Sequence, residues 1–158
     1  MRKLIIIIST CVLFLSGCST SKFPKNYPQM TIIYNGQTFE TKVNEVTWGE
    51  VELKGQSLGS SLISMPELDI AEDMDYIDVQ SNDIIEFKLD YDKDISEIYA
   101  IEVEGLGDAR KETPIDISNN SIKINNEKGK YVYSIKVMWD STTESTDFVS
   151  YVFKINII

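Results

Sequence analysis

The feature that most constrains this chain is a two-residue rhythm near its C-terminus. Tyr131, Tyr133, Ile135, Val137 and Trp139 occupy alternate positions, with Ser134, Lys136 and Asp140 on the other face. Val149, Tyr151, Phe153, Ile155 and Ile157 repeat the rhythm against Ser150, Lys154 and Asn156. A helix would spread such residues around its circumference, whereas a strand gathers them on one side. One apolar and one polar face is the mark of antiparallel sheets. The polar stretch Ser141 to Asp147 suits a hairpin between the two strands. Ile85, Phe87, Leu89 and Tyr91 alternate in the same way with Glu86, Lys88 and Asp90, as do Tyr99, Ile101 and Val103 with Ala100, Glu102 and Glu104. These odd-numbered sets are the expected core faces.

The earlier part of the chain extends the β pattern. Met30 to Tyr34 and Gln37 to Val43 flank Asn35-Gly36, a pair that supplies the positive φ angles of a type I′ hairpin turn. Val46-Thr47-Trp48 is expected to continue that sheet. Short strands at Ile115 to Ile117 and Ile122 to Ile124 flank an Asn119-Asn120 turn. Ser57 to Asp73 reads either as a short helix or as an irregular loop across the barrel end. Seven or eight short strands over residues 30–158 predict an all-β fold, an antiparallel β-sandwich.

The first residues have a different character. Arg2 and Lys3 precede an apolar run from Leu4 to Leu15, which is shorter than the roughly 20 residues a spanning helix needs. It has the form of a signal-peptide core. The run ends in Leu15-Ser16-Gly17-Cys18, which resembles the bacterial lipobox. That resemblance implies cleavage between Gly17 and Cys18, with diacylglycerol and N-acyl lipid on Cys18 as the only attached group and no other cofactor. Residues 1–17 are then the leader. Residues 18–29 follow as lipidated cysteine and polar, proline-bearing tether. The other cysteine, Cys11, leaves with the leader, so the mature chain holds no thiol for disulfides, metals or nucleophilic attack.

Two later segments carry a second resemblance. Gly129-Lys130-Tyr131-Val132-Tyr133-Ser134-Ile135-Lys136-Val137-Met138-Trp139, followed by Tyr151-Val152-Phe153-Lys154-Ile155, resembles the end of small lipoproteins of Gram-positive, Bacillus-type bacteria. There, a G-x-Y-x-Y-x-(V/I)-x-(V/A)-x-W strand precedes a Y-x-F-x-(V/I) strand. The likeness extends back to Val46-Thr47-Trp48, Met65-Pro66-Glu67-Leu68 and Asn82 to Leu89. It implies an Ig-like sandwich and no particular activity, because these lipoproteins mostly lack an assigned one. The loop between Trp139 and Tyr151 departs from the pattern in being long, acidic and hydroxyl-rich.

Composition narrows the function. The full chain carries a net charge of −10 and no histidine. Loss of Arg2 and Lys3 leaves 13 basic against 25 acidic side chains, a net of −12. Such a body is repelled by phosphates, which argues against nucleic acid and against electrostatic membrane binding, so lipid must provide attachment. Neither histidine nor cysteine remains for acid–base or nucleophilic chemistry, and a non-catalytic protein is expected.

Two acidic stretches read either as solvated loops or as sites for a basic partner or a cation. One comprises Asp69, Glu72, Asp73, Asp75 and Asp78 and runs on to Asp83. The other is Asp90, Asp92 and Asp94. An EF-hand loop opened by Asp90 needs Gly at its sixth position and Glu at its twelfth, where Ile95 and Ile101 stand. The EF-hand reading fails, and no metal ligand set is assigned. A calcium site of another kind and a solvated acidic turn both remain open. With the strand Ile84 to Leu89 between them, the two stretches are expected at opposite ends of the sandwich. Tyr27, Tyr34 and Tyr76 lie off the expected core faces.

The resulting expectation is a lipoprotein on the extracytoplasmic side of the cell membrane. Its partners would be the bilayer, through Cys18, and another envelope protein. The alternative is a module that captures a small ligand, a sugar or calcium, at the cell surface. A concave pocket with aromatics and convergent polar groups would favour the ligand, and an exposed apolar patch the protein.

Overall fold

The apolar faces of two sheets close over one core. The computed structural model describes residue 24 and residues 26–53, 56–62, 64–140 and 147–158. The smaller sheet holds five strands, β1 (Met30–Tyr34), β2 (Gln37–Glu40), β6 (Ile84–Leu89), β9 (Ile117–Ser118) and β10 (Ser121–Lys123), in the order β2-β1-β6-β10-β9. The larger holds seven. Six of them, β3 (Lys42–Leu53), β4 (Gln56–Leu62), β7 (Ile95–Glu104), β8 (Lys111–Ile115), β11 (Gly129–Trp139) and β12 (Asp147–Ile157), run in the order β4-β3-β12-β11-β7-β8. The seventh, β5 (Ile77–Val79), pairs parallel with the end of β12. All other pairings are antiparallel. The all-β sandwich is as expected, with more strands than the seven or eight read from the sequence.

The hairpin signals act as their chemistry requires. Asn35 and Gly36 have φ of 49° and 75°, as do Asn119 and Asn120 at 51° and 55°, and each pair turns the chain between adjacent antiparallel strands. The strand expected to run from Gln37 to Val43 instead breaks at Thr41, whose Oγ1 donates to the Met30 carbonyl at 2.8 Å. There the chain leaves the small sheet for the large one. Val46 and Thr47 therefore pair with β12, and Val46-Thr47-Trp48 does not continue the first hairpin's sheet.

The core follows the alternation at its centre. Ile85, Phe87 and Leu89 of β6 and Tyr133, Ile135, Val137 and Trp139 of β11 are buried, together with Val149, Tyr151, Phe153, Ile155 and Ile157 of β12. On β7 the expected faces are reversed. Pairing sets Ala100 opposite Ile135 and Glu102 opposite Tyr133, so Ala100 and Glu102 point inward while Tyr99 and Ile101 point outward. Tyr99 is 40% exposed, against 2% for Ala100. Apolar residues stand at every second position on one side of β7, yet pairing with β11, not local hydropathy, fixes the register.

The outer face of the large sheet also departs from expectation. Ser134, Ser150 and Lys154, read as solvated, are each at most 6% exposed. The helix α1 (Glu67–Glu72) lies on this face of the sheet, against Lys154. Six residues are too few to be stable alone, so this helix depends on its supports. Lys154 Nζ donates to the Glu72 carbonyl at its C-terminal end at 3.2 Å, and Ala71 is buried beneath it. The stretch Ser57 to Asp73 is thus mostly strand β4 and helix α1, and the helix covers a sheet face, not the barrel end. No helix among the described residues is long and apolar enough to cross a membrane.

The folded body begins before Met30. Tyr151 Oη donates to the Pro28 carbonyl at 2.7 Å in a buried bond. Gln29 N–H donates to Asp90 Oδ1 at 2.8 Å, and Asp90 N–H returns a bond to the Gln29 carbonyl at 3.1 Å. The last residues of the expected tether are therefore fastened to the sandwich.

Candidate functional site

A cleft of about 510 Å³ opens on the outer face of the large sheet. Its floor comes from the central strands: Ser134 and Lys136 of β11, Ser150 of β12, and Tyr99, Ile101 and Val103 of β7. A register shift between β3 and β12 adds a residue at Asn44, and this bulge directs both Asn44 and Glu45 into the cleft. One wall is the start of α1, and the other is the loop from Gly105 to Arg110. Gly105 has φ of +72°, and a Cβ there would stand 2.3 Å from the Ala109 carbonyl oxygen, so only glycine permits this tight wall.

The walls are joined by one guanidinium. Arg110 Nη2 and Nε donate to the two oxygens of Glu67 at 2.8 and 3.3 Å, and Nη1 pairs with Glu112. The hydrogen bond to Glu67 is the main reason that the guanidinium is held above its ordinary pKa. On the floor, Lys136 Nζ lies 3.3 Å from Glu45 Oε2 and 3.7 Å from the centroid of the Phe148 ring. The cleft's charges thus pair with one another. Tyr99, 40% exposed, adds an aromatic surface to the floor, and Leu106 on the rim is 52% exposed. Met65, between the cleft residues Ser64 and Pro66, is 55% exposed. A floor of hydroxyls and ion pairs beneath an apolar rim can bind and orient a ligand.

A second hollow of about 720 Å³ lies at the sandwich edge where β8 passes into β9. Its inner end is a small polar network: Asn126 donates to Glu102, and Tyr133 Oη donates to Asn126 Oδ1 at 3.1 Å. Burial, and then the nearby Glu102 charge, pushes the Tyr133 hydroxyl well above its ordinary pKa. This network gives the buried Glu102 carboxylate a partner where the core meets the edge.

The acidic candidates are dispersed. Asp69 and Glu72 lie on α1 and Asp73 ends it, so these three flank the cleft face and do not sit at an end of the sandwich. Asp75 follows beside β2, while Asp78 on β5 accepts from Asn156 Nδ2 at 2.7 Å. Asp83 and Asp90 do stand at the two ends of β6. Asp90, Asp92 and Asp94 form a turn whose Asp94 carbonyl accepts from the Asp140 N–H at 2.9 Å. Among the described residues, no three His, Cys, Asp or Glu side chains gather as a metal-ligating group. Gly17 and Cys18 lie outside the described residues. Tyr27 and Tyr34 are half-buried, and Tyr76 is 39% exposed between Lys130 and Lys154 ammonium groups at 4.7 and 4.3 Å from its ring centroid.

Sequence reasoning misses the cleft because its parts belong to five separate stretches of the chain and because alternation assigns Tyr99 to the core. The Gly105 to Arg110 loop, with two glycines and an arginine, was the one local cue. Fold and site together define an all-β sandwich that carries an open, mixed polar and apolar cleft walled by a helix and a loop. No protein-family model, curated protein or solved structure matches the chain.

Proposed function

We propose that this chain is an extracytoplasmic lipoprotein, anchored in the cell membrane by acylation of Cys18, whose non-catalytic sandwich binds another envelope protein through the cleft. The anchor rests on the basic, apolar and Leu15-Ser16-Gly17-Cys18 sequence of the leader, and the Ig-like relationship implied by the C-terminal strands belongs to the same reading. The observation that carries the binding site is Tyr99, 40% exposed beside Leu106 and above paired charges. Aromatic anchors ringed by satisfied polar groups are the pattern of protein interfaces. A small polar ligand such as a sugar is the second reading, favoured by the Ser134 and Ser150 hydroxyls that line the same cleft as the Tyr99 ring.

Two experiments test these parts separately. Cys18→Ser should abolish lipid labelling and release the protein into the medium; retention through detergent-free washing would refute the anchor. A photo-crosslinking residue at position 99 in growing cells should give one protein adduct that is absent when the same residue replaces Ile84 on the small sheet. Equal adducts from both positions would refute the cleft as a protein site. No adduct at 99, with a fluorescence change on adding soluble envelope glycan, would favour the ligand reading.

A further inference from the structure

The residues that follow the anchor are fastened at one end of the sandwich. Trp48 Nε1 donates to the Pro24 carbonyl at 3.0 Å. Tyr151 and Asp90 then hold Pro28 and Gln29. The same end carries the close of β11 at Trp139, the start of β12 at Asp147, and the turn from Asp90 to Asp94. Gly49 N–H, next to Trp48, donates to Asp147 Oδ1 at 2.7 Å, which ties these pieces together. The opposite end carries the start of β11 at Gly129 and the turn at Asn35-Gly36.

We propose that the lipid anchor presents this Trp48 and Asp90–Asp94 end to the lipid headgroup surface and leaves the Gly129 end facing away. The inference rests on the acylation of Cys18. From Cys18 to Pro24 is six residues, which reach at most about 22 Å even when fully extended. Strand β11 has 11 residues and measures roughly 33 Å, longer than that leash. The body therefore cannot invert without breaking the bonds to Pro24, Pro28 and Gln29. Asp90, Asp92, Asp94 and Asp140 are all exposed at the presented end. Anionic headgroups repel them over about 8 Å at physiological salt, so this end stands off the surface and does not insert. The cleft, on a sheet face, then opens sideways along the membrane.

The test uses the lipidated mature protein in vesicles whose headgroups carry an energy acceptor. Cys18 is consumed as a thioether, so Asp92→Cys and Lys128→Cys each supply the only free thiol for a donor dye. Energy transfer should be several-fold greater from position 92 than from position 128. Equal or reversed transfer in protein that floats with the vesicles would overturn the orientation and leave the anchor standing. Protein that fails to float would overturn both.

Discussion

The indole rings of Trp48 and Trp139 meet edge to face, with centroids 5.0 Å apart and planes at 86°. The two residues belong to β3 and β11, which are not neighbours, because β12 runs between them. Their contact therefore crosses the start of β12 and seals the end of the large sheet. Both are nearly inaccessible, at 3% and 0%.

Trp139→Ala should cost about 3–5 kcal/mol, the range for emptying a large aromatic site. Trp139→Phe should cost much less, because the Trp139 Nε1–H has no hydrogen-bond partner among the described residues. With Trp48→Ala, the double mutant should fall short of additivity by about 0.5–1.5 kcal/mol. Urea midpoints measure all three, and an unchanged midpoint for Trp139→Ala would remove it from the core.

The Tyr151 hydroxyl is pushed well above its ordinary pKa by burial, so it stays protonated in the native state when the unfolded chain ionises. Stability is then independent of this group below about pH 10 and falls as pH rises above it. Tyr151→Phe should lose about 1–3 kcal/mol near neutrality, because the Pro28 carbonyl loses its donor. Its alkaline decline should be shallower than that of the wild type. Parallel alkaline slopes would contradict the assignment.

Tyr34 donates to Asp83, and this bond, followed by one from the Gln80 N–H at 2.8 Å, holds the Asp83 carboxyl below its ordinary pKa. A depressed carboxyl contributes stability above its unfolded value, about 3.9, and loses it as pH falls through the native value. The wild-type denaturant midpoint should therefore drop more steeply than that of Asp83→Asn as pH falls below about 5. Identical acid limbs would show that the pair adds nothing.

Removing Arg110 leaves Glu67, 10% exposed at its side chain, without its guanidinium. Arg110→Ala should cost about 1–3 kcal/mol and speed amide hydrogen exchange across α1. Arg110→Lys should recover only part of this, because an ammonium cannot reproduce the two-point contact. Unaltered exchange in α1 would show that the helix is held by packing alone.

Much of the fold is legible in the residues themselves. The alternation in β6, β11 and β12 identifies their core faces because a pleated strand separates odd from even positions wherever one face is buried. Asn35-Gly36 and Asn119-Asn120 announce their turns because positive φ is unfavourable for most other residues. The cluster Asp69 to Asp78 was legible as exposed charge, but its division between α1 and β5 was not.

What the sequence by itself determined is therefore local: strands and turns, each written within a few consecutive residues. Tertiary structure alone decided three things. Pairing with β11 turned Tyr99 outward, against the local apolar pattern of β7. The sheet switch at Thr41 sent Trp48 to meet Trp139. Docking of α1 covered Lys154 and raised one wall of the cleft. Register, sheet membership and helix docking depend on contacts between residues far apart in the chain, and no short window of sequence holds both partners.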